Sequence, residues 1–191
     1  MPPLICIFST ETNGLHNSKE FVSKKNMFEF ARPLKINYII GYRENNKFTK
    51  IKQEKFIFKP EYLTISPSIT KINNLDCKIC EKKGKPPLEI LTTFKNDLKN
   101  VRVLVSHNIS FHIKSLQVEC FRQCVDIEFS NYILIDTINF GHKFEYPKLK
   151  ELSKTLLDKD YEEKSSDYNI IIIKKCFLKL YDNYEKQIIN T

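Results

Sequence analysis

The feature that most constrains this 191-residue chain is the order of its apolar runs: three strand-like runs come first, and helical and strand-like patterns alternate after them. Residues 4–8 form a short apolar run ahead of the turn-prone Thr12-Asn13-Gly14, which reads as a buried strand. Runs 36–42 and 55–59 read as two more strands, and the polar gap 43–50 between them as a hairpin connection. Residues 82–85 read as a basic loop ending at Pro86-Pro87, and proline suits the first turn of a helix. Leu88, Ile90, Leu91, Phe94 and Leu98 then fall at helical spacing. Residues 101–105 read as a strand, 108–124 as a helix and 132–135 as a strand closing at Asp136; 147–157 and 170–184 read as the last helices. Strands joined by short polar stretches pair antiparallel, whereas strands separated by helices cross over to lie parallel. The expectation is one α/β domain over residues 1–191: a mixed sheet flanked by helices.

Charge narrows the partner. Lys and Arg number 31 against 23 Asp and Glu, a net charge of +8. Such an excess fits a polyanion such as nucleic acid; it equally fits the lysine-rich surface of a protein from an AT-rich genome. No apolar run approaches the roughly 20 residues of a membrane span, so no membrane partner is expected. The N-terminal residues lack the apolar core of a secretory leader. The six cysteines are therefore expected as reduced thiols in an intracellular setting, cytoplasmic or nuclear. Cys77 and Cys80 lie 39 residues from Cys120 and Cys124, which is not zinc-ribbon spacing, and the second pair reads as helix packing.

Three segments carry a family likeness. Ile7-Phe8-Ser9-Thr10-Glu11-Thr12-Asn13-Gly14-Leu15 resembles the first motif of the DnaQ-like DEDDh 3′–5′ exonucleases, usually Phe-Asp-Thr-Glu-Thr-x-Gly-Leu. Val103-Leu104-Val105-Ser106-His107-Asn108-Ile109-Ser110-Phe111-His112 resembles their second, a strand followed by Gly-His-Asn-x-x-Phe-Asp. Pro147-Lys148-Leu149-Lys150-Glu151-Leu152, and then residues 164–177, are similar to the Leu-x-x-Leu helix and the final His-x-x-x-x-Asp helix. Ile65-Ser66-Pro67 resembles the family's linker, and Ile135-Asp136-Thr137 the end of its fifth strand. The likeness spans about residues 3–182 in family order. It implies an RNase H-like five-stranded mixed sheet, three strands antiparallel and two parallel, with flanking helices.

The likeness also implies a chemistry, and this chain departs from it. In the family four carboxylates hold two Mg²⁺ or Mn²⁺ ions against the scissile phosphate, and a neutral histidine acts as general base. Here the four carboxylate positions read Ser9, Glu11, His112 and Asn169, and the general-base position reads Lys164. Glu11 alone is retained. A site built for −4 offers −1, which does not suit a pair of hard dications, and an imidazole suits a softer metal. No bound metal is therefore expected, Glu11 being the residual ligand; Mg²⁺ or Mn²⁺ applies only if the chain is active. No histidine lies beyond His142, so no shift of alignment restores the motif. Asp167 sits about 200° around a helix from Asn169, and is expected to point away.

The reading that follows is an exonuclease-fold chain that binds and does not cut. Its partner is expected to be single-stranded or 3′-end nucleic acid, or a larger nucleic-acid-processing complex. Thr10, Thr12, Asn13, Gly14, Leu15, His107, Asn108 and Phe111 are the residues the likeness places around a strand. His107 and Asn108 also suit the strand-to-helix turn, Asn as its N-cap. His16 and His142 read as loop residues without a role, and Phe28, Phe30, Phe48, Phe56 and Phe58 as core in preference to a base-stacking platform, which the aromatics between basic residues in 55–59 leave open. Two other readings stay open: an active exonuclease with rearranged ligands, and a protein–protein scaffold.

Overall fold

The computed structural model describes residues 2–140, 147–158 and 166–189. Five strands form one sheet in the order β3-β2-β1-β4-β5: β1 Leu4–Thr12, β2 Pro33–Glu44, β3 Lys47–Ile57, β4 Val101–Ser106 and β5 Ile133–Asp136. β1, β2 and β3 pair antiparallel, and β4 and β5 join β1 in parallel. This is the mixed sheet that the order of runs and the family likeness both lead to expect. Among the described residues six α-helices flank it: α1 Pro67–Asn73, α2 Cys77–Lys83, α3 Pro87–Asp97, α4 Ile109–Gln123, α5 Leu149–Leu157 and α6 Ser166–Ile189.

β1 is the middle strand and is buried on both faces from Ile5 to Thr10, which is why its sequence runs apolar without alternating. Ile5 and Ile7 join Val103, Val105 and Ile135 under Leu149 and Leu152 of α5 and Ile170, Ile173 and Phe177 of α6. Cys6 and Phe8 join Tyr38 and Leu104 under Ile90 and Phe94 of α3 and Ile113 and Leu116 of α4. A residue's parity along β1 therefore decides which helices it meets.

Several boundaries differ from the sequence expectation. The polar stretch 43–50 is mostly strand, because the turn needs only Asn45 and Asn46, at φ 49° and 61°. Two left-handed asparagines make the tight primed turn that suits strand twist. A bulge follows at Ile40/Gly41, where a Cβ on Gly41 would run into the Thr49 carbonyl and the Phe48 ring. The linker after Ile65 holds α1 and α2, started by Ser66 and Asp76, whose side chains accept from the Ile69 and Ile79 N–H groups. Lys82 and Lys83, expected in a loop, close α2. Cys120 is buried, its thiol pushed up to about 12 by desolvation and by Glu119 and Asp126, but Cys124 is the exposed cap of α4 and not a core residue.

Candidate functional site

At the C-terminal end of β1 the sheet opens into a cleft of about 530 Å³. Ser9, Glu11, His112 and Asn169 all line it, so the fold brings together residues that lie 160 positions apart. Thr10, Thr12, Gly14, Leu15, His107, Asn108 and Phe111 line it too, as do Ile69, Ile72 and Asn73 of α1, Leu149 of α5 and Ile173 of α6. Asn13 does not: its Oδ1 accepts from the Arg32 N–H at 2.7 Å and fastens the loop after β1. Lys164, Glu162, Glu163 and His142 lie outside the described residues.

One wall comes from the start of α4 and is held by histidines. His112 Nδ1 accepts the Thr10 backbone N–H at 3.2 Å, with the Thr10 hydroxyl at 2.8 Å. Its Nε2 donates to the His107 carbonyl at 3.1 Å. An acceptor at Nδ1 and a donor at Nε2 define the neutral tautomer. Burial, with His107 and His16 nearby, pulls its pKa down to about 4 against the opposing pull of the His107 carbonyl. His107 Nδ1 meets the Thr137 hydroxyl at 2.9 Å, and burial lowers its pKa as well.

His16, which the sequence marks as a loop residue without a role, is a third clamp. It accepts from the Ala31 N–H at 3.0 Å, pairs with the Phe111 carbonyl at 3.0 Å and stacks on the Phe111 ring at 4.3 Å. Asn108 is not the expected side-chain cap. It adopts φ 64°, ψ 55° with no capping bond. Asp136 does that work from β5, accepting from the Asn108, Ile109 and Ile138 N–H groups at 2.8, 2.9 and 3.0 Å. A carboxylate at a helix N-terminus also meets the positive end of the helix dipole. Behind this wall Arg32 and Glu119 form a buried two-pronged pair at 2.8 and 2.9 Å, tying the start of β2 to α4.

The facing wall comes from α6. Asn169 Oδ1 is buried and has no hydrogen-bond partner among the described residues. Asp167 does point away from the cleft, as expected from its helical offset. It meets Lys35 at 2.5 Å, Lys55 at 2.9 Å and Asn37 at 3.1 Å. Burial pushes the Asp167 carboxyl up, but Lys35 and Lys55 outweigh it and hold the group below its usual range.

The donor set among the described residues does not fit two Mg²⁺ or Mn²⁺ ions. Glu11 is the one carboxylate among the described lining residues. The lone pair of His112 is engaged by Thr10, and Ser9 and Asn169 carry no charge. No group of three or more His, Cys, Asp or Glu side chains gathers at a metal-sized site among the described residues. No described helix is long and apolar enough to cross a membrane.

No protein-family model matches the sequence, and no curated protein does. Solved structures do. Escherichia coli exonuclease I in complex with a dT13 oligonucleotide superposes with a TM-score of 0.71 at 14% identity, over 98% of this chain and 43% of that one. The zinc-ion-bound form of the E. coli exonuclease I–ssDNA complex gives 0.69 at 13% identity, over 98% and 42%. A complex of exonuclease I with the SSB C-terminus gives 0.66 at 15% identity, over 95% and 43%. The chain spans less than half the length of these neighbours. At such identities the likeness establishes the fold, which is the RNase H-like exonuclease fold.

Proposed function

We propose that this chain holds single-stranded nucleic acid, at or near a 3′ end, in the cleft between α4 and α6 without cleaving it, as a binding or structural subunit of a nucleic-acid-processing complex. One observation carries the reading. The cleft keeps the framework of an exonuclease fold, while the position that would bear a metal-binding carboxylate holds a neutral histidine with both ring nitrogens engaged. Glu11 alone cannot anchor two dications against a phosphate, because each such ion needs several hard oxygen ligands.

What remains suits a strand. Leu15 and Ile72 stand 81% and 71% exposed at the rim, presenting apolar surface to the faces of bases. The net charge of +8 favours a polyanion. The neighbours' oligonucleotide and SSB C-terminus complexes support nucleic acid and a protein as partner classes.

The test is a labelled single-stranded oligonucleotide incubated with Mg²⁺ or Mn²⁺, with Glu11→Ala as control, and binding of the same strand at two salt concentrations. The expected result is no degradation and binding that weakens steeply with salt, as phosphate contacts require. Degradation abolished by Glu11→Ala would replace this reading with that of an active exonuclease using other ligands. Absence of binding would leave a protein scaffold.

A further inference from the structure

Between β1 and β2 the chain makes an excursion, residues 17–29, that closes on itself: the Asn17 N–H donates to the Glu29 carbonyl at 2.7 Å. Asn26 organises its interior. Its Oδ1 accepts from the Ser23 N–H and hydroxyl at 2.7 and 2.9 Å, and its Nδ2 donates to the Phe21 carbonyl at 3.0 Å. Lys114 of α4 donates to the Lys19 carbonyl at 2.8 Å and fixes the excursion to the α4 wall. The loop is thus held by polar contacts.

Its aromatic residues do not serve the core. Phe21 is 91% exposed and Phe28, which the sequence suggests is core, is 76% exposed. Phe30, two residues on, is buried against the His16 ring at 5.3 Å. Burying a phenylalanine stabilises a fold by about 1.5–3 kcal/mol, and here two are held in water on an ordered loop. A single exposed apolar side chain is ordinary, but two large rings on one hydrogen-bonded loop, next to the cleft rim, offer a partner apolar surface.

We infer that the 17–29 loop is a base-stacking platform that extends the cleft, with Phe21 and Phe28 as the rings that receive the bases of a single strand. The inference rests on the reading of the cleft as a single-strand site and adds a second contact region to it. Continuity supports this occupant. Leu15, at the cleft rim, leads directly into the loop, and His16 bridges Phe30 to Phe111, itself a lining residue. Lys19, Lys24 and Lys25 are interleaved with the rings and exposed, within reach of phosphates. Glu20 and Glu29 nearly offset them, so stacking outweighs charge in this part of the site. Every base has a π-face, so the platform is indifferent to sequence.

The test uses the full chain. Phe21→Ala and Phe28→Ala remove exposed side chains, so thermal unfolding should match the parent. Each is expected to weaken a long single-stranded oligonucleotide about tenfold, the scale of one lost base–aromatic stack. An oligonucleotide too short to leave the cleft should bind unchanged, and an abasic strand of full length should not distinguish the variants from the parent. The chain has no tryptophan, so Phe21→Trp or Phe28→Trp supplies a single reporter that should retain affinity and be quenched by a base-containing strand. If long and short strands bind the alanine variants as they bind the parent, with no quenching, the platform is wrong and the cleft reading survives; the rings then belong to a protein interface. If the parent binds no strand at all, both fall together.

Discussion

The two walls of the cleft treat their polar atoms in opposite ways. On the α4 wall the imidazoles of His112, His107 and His16 are bound into the chain, and Asp136 caps α4, the helix that carries His112. On the α6 wall Asn169 keeps a buried oxygen without a partner among the described residues, while the nearby carboxylate, Asp167, is turned to lysines on β2 and β3. The first wall is organised from within and offers a ligand mainly shape. The second places on the cleft an asparagine whose acceptor is unmet among the described residues, and its Asp167 is paired outside the cleft. Position in the fold alone does not make a group reactive; what else that group is bonded to decides it.

If the α4 wall is structural, breaking it should cost stability first. The largest effect is expected at Glu119→Ala, which leaves the buried Arg32 guanidinium (9% exposed) without its carboxylate, keeping only the Glu61 carbonyl. Breaking a buried pair from one side costs about 3–5 kcal/mol, measurable by denaturant unfolding. His112→Ala comes next. It leaves the Thr10 N–H and the His107 carbonyl unpaired, for about 2–3 kcal/mol. The same residue sets a pH dependence. Its folded pKa of about 4 lies below the ordinary 6.5, so the folded state binds fewer protons than the unfolded one, and stability rises with pH between those values. That contribution is complete above about 6.5 and is lost as pH falls through about 4. Thermal unfolding against pH should show the loss, and His112→Ala should flatten the curve. An equally steep curve in the variant would assign the effect to His16 and His107, which burial also pulls down.

The two walls were unequally legible in the sequence. β1 and β4 announce themselves because a strand buried on both faces must be apolar throughout, and the motif at 7–15 fixes where β1 ends. Glu11, His112 and Asn169 could be placed together because the segments that carry them resemble motifs expected to meet at one site, and all three line one cleft. His16 could not, since its role depends on Phe111, 95 positions away, and no local pattern encodes that pairing. The same holds for Asn108, whose expected cap is supplied by Asp136 from another strand. Helices α1 and α2 are too short for apolar periodicity to register, although Ser66-Pro67 and Asp76 were start signals in plain view. Phe28 is exposed although phenylalanine is mostly buried, because its loop is closed by polar contacts that no local pattern encodes and needs no apolar core of its own.

The α6 wall should respond weakly, and in a different sense. Asp167→Asn removes a carboxylate from Lys35 and Lys55, yet Asp167 is 42% exposed at its side chain. Such pairs contribute about 0–1 kcal/mol, so the loss should be small and should shrink in high salt. A loss as large as that of His112→Ala would mean that both walls are structural and would erase the contrast between them.

Asn169→Leu is the finest discriminator. Among the described residues its Oδ1 has no partner, so it carries the desolvation cost of a buried acceptor. Exchanging the amide for an apolar group of similar size should therefore leave stability unchanged or raise it by about 0.5–1 kcal/mol. The acceptor would nevertheless be missed by a ligand that donates to it, so strand binding should fall while unfolding does not. Those two readouts moving apart would identify Asn169 as a ligand-facing group. If they fall together, the amide has a partner within the folded chain, and the α6 wall is built like its neighbour.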